Sequence, residues 1–315
     1  VDDGSTDDTW AHIEAAAARH PGRVTTLRLA RNQGKRGALA AGFRAARGEI
    51  LVTIDSDSEI ERGTLLAVAG PFRDSKVGAV AGKVVALNRD QGWIPRMLHV
   101  RFVLSFDLQR SAQSVFRTVY CCPGALAAYR SNVVLPVLDQ WLSQRFMGVD
   151  CTYGEDRAMT NLILEQGRDT VYQSSAVVHT LVPRTYGQLC RMYLRWDRSH
   201  VREECRYVAR TLWTRPLGTM LVSLLDKVVS NVGIPLGWAM LAALIGLTLA
   251  DPTVLLRVLA VIGIGAAFSM LYYLHSERSL RFVHGISYAY FAFFGLWWVF
   301  PWAVLTVREK SWMTR

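Results

Sequence analysis

Beyond about Arg215 the chain turns into three long apolar runs, residues 228–250, 254–274 and 282–307. A bilayer core of about 30 Å takes about 20 apolar helical residues to cross, and each run is long enough. The preceding 200 or so residues hold most of the charge and read as a soluble unit. One polypeptide therefore has to fold in two solvents, and any fold assigned to it must join a water-facing domain to a lipid-facing one. Asp226 and Lys227 argue against a span that starts before residue 228, because charges at mid-bilayer are costly.

With 51% apolar residues, the 315-residue chain buries too much surface to be disordered. Five cysteines in this length exclude a disulfide-framed mini-protein, and none has zinc-ligand spacing with histidine, so reduced thiols are expected. The formal net charge is +10. A basic excess fits nucleic acid, a membrane surface or anionic substrates. No nucleic-acid-binding motif is present, and arginines cluster just before the apolar runs. The expected partners are therefore a lipid bilayer and anionic small molecules, with no nucleic acid and no obligate protein partner. By the positive-inside rule the soluble part is expected to be cytosolic, on a multi-pass protein of the plasma or inner membrane.

The soluble part alternates strand and helix patterns: helix over 10–19, strand over 24–30, helix over 35–47, strand over 49–57 and strand over 77–87. That alternation predicts an α/β domain with a mostly parallel sheet and ligands at the strands' carboxyl ends. Residues 185–215 carry arginines and aromatics at helical spacing, as an amphipathic helix at a membrane interface would. The expected divisions are thus 1–184, 185–215 and 216–315. The chain opens directly on what reads as a strand end, so an earlier strand is expected to be missing and the chain to be a fragment.

Five local patterns carry chemistry. Asp55-Ser56-Asp57 puts two carboxylates after an apolar strand, suited to Mg²⁺ or Mn²⁺, and is equally an acidic run leading into a helix at Ser58-Glu59. Asp2-Asp3-Gly4 ends a strand and suits a nucleotide or an ordinary turn. Asn32 to Leu39 combines Gly34 and Gly37 with Lys35 and Arg36, a loop for a diphosphate or a basic helix start. Gly154-Glu155-Asp156-Arg157 opens a helix with acids that serve as a cap or as a general base. Arg195-Trp196 offers a stacking face beside a cation, or a membrane-interface pair.

Taken in order, together with CCPGALAAYR (121–130), GEDRAMTN (154–161), VYQSSA (171–176) and the terminal SWMTR, the chain resembles processive, membrane-integrated glycosyltransferases of family 2. The resemblance is to the hyaluronan synthase and chitin-oligosaccharide synthase type, and it covers essentially the whole chain. It implies an α/β GT-A-like domain, a Rossmann-like mixed sheet, followed by interfacial and transmembrane helices. It implies UDP-sugar donors, UDP-GlcNAc with UDP-GlcA for a hyaluronan-type product, or UDP-GlcNAc alone for a chitin-type one. The acceptor would be the growing polysaccharide.

By the same resemblance Asp2, Asp3, Lys35 and Asp55 would bind UDP, with Asp57 nearest a Mg²⁺ or Mn²⁺ ion. Asp156 would be the catalytic base of an inverting transfer, with Glu155 and Arg157 beside it at the substrate. Arg195 would lie near the diphosphate and Trp196 under the acceptor sugar. Cys122 and Gly124 would line the acceptor pocket. Trp312, Thr314 and Arg315 would form a gating loop. The chain departs from the family pattern at Met192, where Gln is usual, with Gln188 one turn earlier, and at Met313, where Gly is usual. A gating loop on the cytosolic side requires an even number of crossings, so one apolar run, 282–307 with Pro301 in it, is expected to stay at the interface or re-enter.

Overall fold

The computed structural model describes residues 1–310. Trp312, Thr314 and Arg315 lie outside the described residues. Seven strands form, β1 Ile50–Ile54, β2 Ser58–Ile60, β3 Val77–Ala86, β4 Leu126–Arg130, β5 Arg145–Phe146, β6 Val149–Asp150 and β7 Asp169–Thr180. Five make one sheet in the order β1-β4-β3-β7-β2, and β5 with β6 forms a small ribbon.

Among these sheet pairings only β3–β7 is parallel; β1–β4, β3–β4 and β2–β7 are antiparallel. The expectation of a mostly parallel sheet is therefore corrected to a mixed one. Alternating strands and helices predict layers, but strand direction depends on the edge at which the chain re-enters the sheet. Ser58-Glu59, expected to lead into a helix, instead forms β2, with Ser58 opposite Thr180 of β7. The long β7 offers backbone partners that a local helix pattern cannot reveal. The expected strand over 24–30 reduces to one parallel bridge between Asp2 and Arg28.

β3 is buried at every position but Lys83, because both sheet faces are covered. On one face Leu51 and Tyr129 meet Phe43, Trp141, Met159 and Leu162. On the other, Val80, Leu126 and Val178 meet Val68, Leu98, Phe102 and Leu189. At about 25 cal/mol per Å² of apolar surface, such two-sided burial is what holds the strand ends, and hence the site, in place.

Helix Tyr186–Ala209 follows the sheet and starts with a capping box: Thr185 accepts from the Gln188 N–H while the Gln188 side chain reaches back to the Thr185 N–H. Two long apolar helices, Leu217–Ala250 and Thr253–Glu277, are each long enough to cross a membrane. The first begins well before residue 228, and Lys227 is accommodated by pairing with Glu204 at 2.9 Å. The third run is two helices, Phe282–Gly295 and Val299–Leu305, bent by 49°. Pro301 sits in the first turn of the second piece, where its missing N–H costs nothing. Tyr186 fastens the bend by donating to the Gly295 carbonyl and accepting from Trp298 Nε1 at 3.0 Å.

Candidate active site

The site is assembled from three chain segments that meet at Lys35. β1 ends at Ile54 and delivers Asp55. The helix Gly34–Ala45 carries Lys35 in its first turn. The helix Glu155–Glu165 begins with Glu155 and Asp156, where negative charge suits the helix N-terminus. Lys35 Nζ lies 2.5 Å from Asp55 Oδ1 and 2.9 Å from Glu155 Oε1. Burial opposes the Lys35 charge, but Glu155 and then Asp55 outweigh it, so the ammonium pKa sits above its ordinary value. Two of its three protons are thereby used, and one remains to donate. Gly124 faces this pair: a Cβ there would stand 2.8 Å from Lys35 Nζ and 3.3 Å from Asp55 Oδ1. The missing side chain keeps the Lys35–Asp55 edge open.

Gly154 sets the approach to Asp156. Its φ of +78° suits glycine, and a Cβ would fall 2.0 Å from Ser199 Oγ. The turn into helix Glu155–Glu165 is thus pressed against helix Tyr186–Ala209. Asp156 itself is held by two donors. The Cys121 thiol donates to Oδ2 at 3.5 Å and the Arg157 N–H to Oδ1 at 2.8 Å. Burial first, then Asp156, pushes the Cys121 thiol up to about 12, so it stays a protonated donor. Cys122, which the resemblance placed in the acceptor pocket, is fully buried in the core and donates its N–H to Thr160 Oγ1. Cys121 is the one that faces the acid.

The other expected residues separate. Asp2 is 2% exposed; it accepts from the Ser5 N–H and lies 3.4 Å from Arg28. Its Oδ1 shapes the turn. Asp3 accepts from the Gln33 N–H at 2.7 Å, which docks the first turn onto the loop carrying Lys35. Asp57 accepts from Thr180 Oγ1 at 3.4 Å, a contact created by the β2–β7 pairing. Arg157 meets His200 Nδ1 at 3.3 Å. Trp196 is 39% exposed and is flanked by Tyr193 and Phe102, with Arg195 half-buried before it. Gln188 does not replace the Gln absent at Met192: it belongs to the helix cap, and Met192 packs on the sheet core.

Sequence reasoning missed Cys121, because a doubled cysteine does not say which thiol turns inward. The resemblance led it to expect a gating segment at the chain's far end, but not the contacts that dock residues 309 and 310. Tyr153 Oη donates to the Glu309 carbonyl and Thr152 Oγ1 to the Lys310 carbonyl, at 2.8 and 2.7 Å. The described chain thus ends beside the loop that leads into Asp156.

A divalent cation has oxygen donors here in Asp55 and Asp57. Among the described residues no group of three His, Cys, Asp or Glu forms a complete cage. That donor set fits Mg²⁺ or Mn²⁺, which bind through one or two carboxylates plus substrate phosphates.

Comparison with known proteins bears on the family and the fold. Residues 1–135 match the family described as glycosyl transferase family 2. An N-acetylglucosaminyltransferase of Rhizobium leguminosarum bv. viciae is 31% identical over 100% of this chain and 73% of its own length. One from Azorhizobium caulinodans is 29% identical over 100% of this chain and 78% of its own. Another, from Mesorhizobium japonicum, is 36% identical, but over 64% of this chain and 48% of its own. A mannosyltransferase of Pyrobaculum calidifontis, solved with GDP-Man and Mn²⁺, aligns with a TM-score of 0.52 at 23% identity over 80% of this chain and 70% of its own, and shows the fold alone. The mixed-sheet GT-A-like fold and the full-length relatives place the chain together: it is a glycosyltransferase and belongs to glycosyl transferase family 2.

Proposed function

We propose that the protein transfers N-acetylglucosamine from UDP-GlcNAc, with inversion, onto a growing N-acetylglucosamine oligosaccharide. The observation that carries this reading is the Asp55–Lys35–Glu155 bridge, which puts a cation with one uncommitted proton one residue from Asp156. The name shared by the relatives favours this single-donor, chitin-type product over a hyaluronan-type product made from two donors.

In the proposed reaction Asp156 takes the proton of the acceptor hydroxyl as its oxygen bonds to the anomeric carbon. The bond from that carbon to the diphosphate breaks, and UDP departs. The Cys121 thiol and the Arg157 N–H keep the carboxylate oriented during the transfer. Lys35 donates its remaining proton to the diphosphate oxygens as negative charge grows there. Asp57, with Asp55, would hold a Mg²⁺ or Mn²⁺ ion, which when bound would supply positive charge for the departing diphosphate. Trp196 carries the acceptor sugar on its exposed face, Arg195 stands near the diphosphate, and Gly124 leaves room for it. We read 1–184 as the transferase unit, 185–215 as the interface helix region and 216–315 as the membrane region. Helices Leu217–Ala250 and Thr253–Glu277 cross the membrane, and the bent third run returns Glu309 and Lys310 to the catalytic side.

The test uses the full-length protein in membranes with labelled UDP-GlcNAc and Mg²⁺ or Mn²⁺, with and without UDP-GlcA. A chitinase-sensitive product made from UDP-GlcNAc alone is expected. A product that needs both donors and yields to hyaluronidase would replace this reading with the two-donor one.

A further inference from the structure

One residue past Trp196 stands a carboxylate that the reaction above does not use. Asp197 is half-buried, and among the described residues it makes no hydrogen bond and no ion pair within 4 Å. A carboxylate partly withdrawn from water without a protein donor carries a desolvation cost, and nothing in a helix requires an acid at this position. The groups around it come from three helices. Arg157 faces it from Glu155–Glu165 and Arg101 from Trp93–Val103. Tyr193 lies one turn before it on its own helix, with its hydroxyl tied to Tyr288 at 2.7 Å. His200 lies one turn after it, bound to Arg157. Burial lowers the His200 pKa to about 4, with Arg157 acting in the same direction, so the ring is neutral. Burial outweighs both arginines at Asp197 and raises its pKa to about 6.

This carboxylate therefore follows the stacking residue in the chain and faces the arginine that follows Asp156. Trp196 precedes it, with Phe102 and Tyr193 packed around the indole, and Arg157, its main charged neighbour, directly follows Asp156. The unmet capacity is that of a pure hydrogen-bond acceptor, so what fits it is a neutral group bearing N–H or O–H donors. We propose that Asp197 accepts a hydrogen bond from the sugar stacked on Trp196 and so selects the acceptor. The proposal rests on the N-acetylglucosaminyl transfer reading and names a residue for its acceptor subsite.

The experiment measures calorimetric binding of N-acetylchitotetraose and, separately, of UDP to the full-length protein in lipid nanodiscs at pH 5 and pH 7.5. In the native protein the tetrasaccharide should bind about tenfold more tightly at pH 7.5, because protonation below about 6 removes the charged acceptor. Asp197→Asn should bind it about tenfold more weakly at pH 7.5 and lose the pH dependence, with UDP affinity unchanged. Asp197→Asn should also melt no lower than the native protein at pH 7.5, since the buried charge opposes folding there. Native binding of the tetrasaccharide that is independent of pH and of Asp197, or an equal loss of UDP affinity, would overturn the Asp197 assignment alone. A native protein that binds UDP but ignores the tetrasaccharide at both pH values would overturn the transfer reading beneath it.

Discussion

Helix Glu155–Glu165 and helix Thr253–Glu277 solve opposite problems with similar residues. The first turns Ala158, Met159, Leu162 and Ile163 onto the sheet and buries eight of its eleven residues. The second leaves Leu256, Val261, Ile264 and Phe268 about two-thirds or more exposed, and only 6% of its most apolar window is buried. Polar groups invert as well. Lys227, on the neighbouring apolar helix, is buried against Glu204 and stands 3.5 Å from the centre of the Tyr120 ring. An apolar exterior with Lys227 turned inward suits a hydrocarbon solvent, where unpaired charge is expensive, whereas Asp226 and Arg257 stay exposed near the ends of the apolar runs. The contrast teaches that helix Glu155–Glu165 is held by packing and the apolar helices by their surroundings.

That contrast can be broken at graded points. The largest effect is expected from Asp156→Asn, which should cut transfer by about 10²–10⁴-fold while UDP binding persists; equal loss of both would remove the base assignment. Next comes Lys35→Met, which leaves Glu155 buried opposite Asp55 with no cation between them. Breaking a buried pair costs about 3–5 kcal/mol, and less here because Asp55 is 29% exposed. Thermal melting and UDP titration would both register it, and an unchanged melting temperature would show that the bridge is not structural.

Leu162→Ala should cost about 2–5 kcal/mol through the cavity it opens beside the sheet. Leu256→Ala, its counterpart on the exposed apolar helix, should change stability in detergent by about 0.5 kcal/mol or less. Denaturant titration of the two variants side by side measures the difference, and equal losses would mean that Thr253–Glu277 packs within the protein in solution. The smallest effect is a slope. The Asp197 pKa is raised to about 6, so the folded state binds more protons than the unfolded one between the ordinary carboxylate range and 6. Stability should therefore fall as pH rises through that window, and Asp197→Asn should flatten the trend in melting scans between pH 4 and 7.

Much of the site was legible because it sits on strand ends and helix starts. Asp55 follows an apolar strand, and Glu155-Asp156 opens a periodic helix, so local pattern alone located them. Lys35 was flagged as one cation of a glycine-containing loop, but not its bridge to Glu155 across 120 positions of chain, which no local rule encodes. Asp2 and Cys122, which the resemblance assigned to the UDP and acceptor sites, are both buried, and their burial became visible only once the neighbouring segments were packed. The departure at Met192 also became explicable only in the folded chain, where this residue of helix Tyr186–Ala209 packs, partly buried, against the sheet core.

What the sequence determined unaided follows from short-range and solvent physics. It includes the split between a charged α/β domain and apolar helices, the acids at element ends, and the interruption of the third apolar run. Hydrophobic periodicity and helix termini are properties of neighbouring residues, so they can be read along the chain. Strand direction, the β2–β7 pairing that brings Thr180 to Asp57, and the choice of Cys121 over Cys122 belonged to tertiary structure alone. So did the contacts that dock Glu309 and Lys310 on Tyr153 and Thr152. Each depends on which distant backbone or side chain offers a partner for a buried polar group, and that partner exists only after the chain has packed.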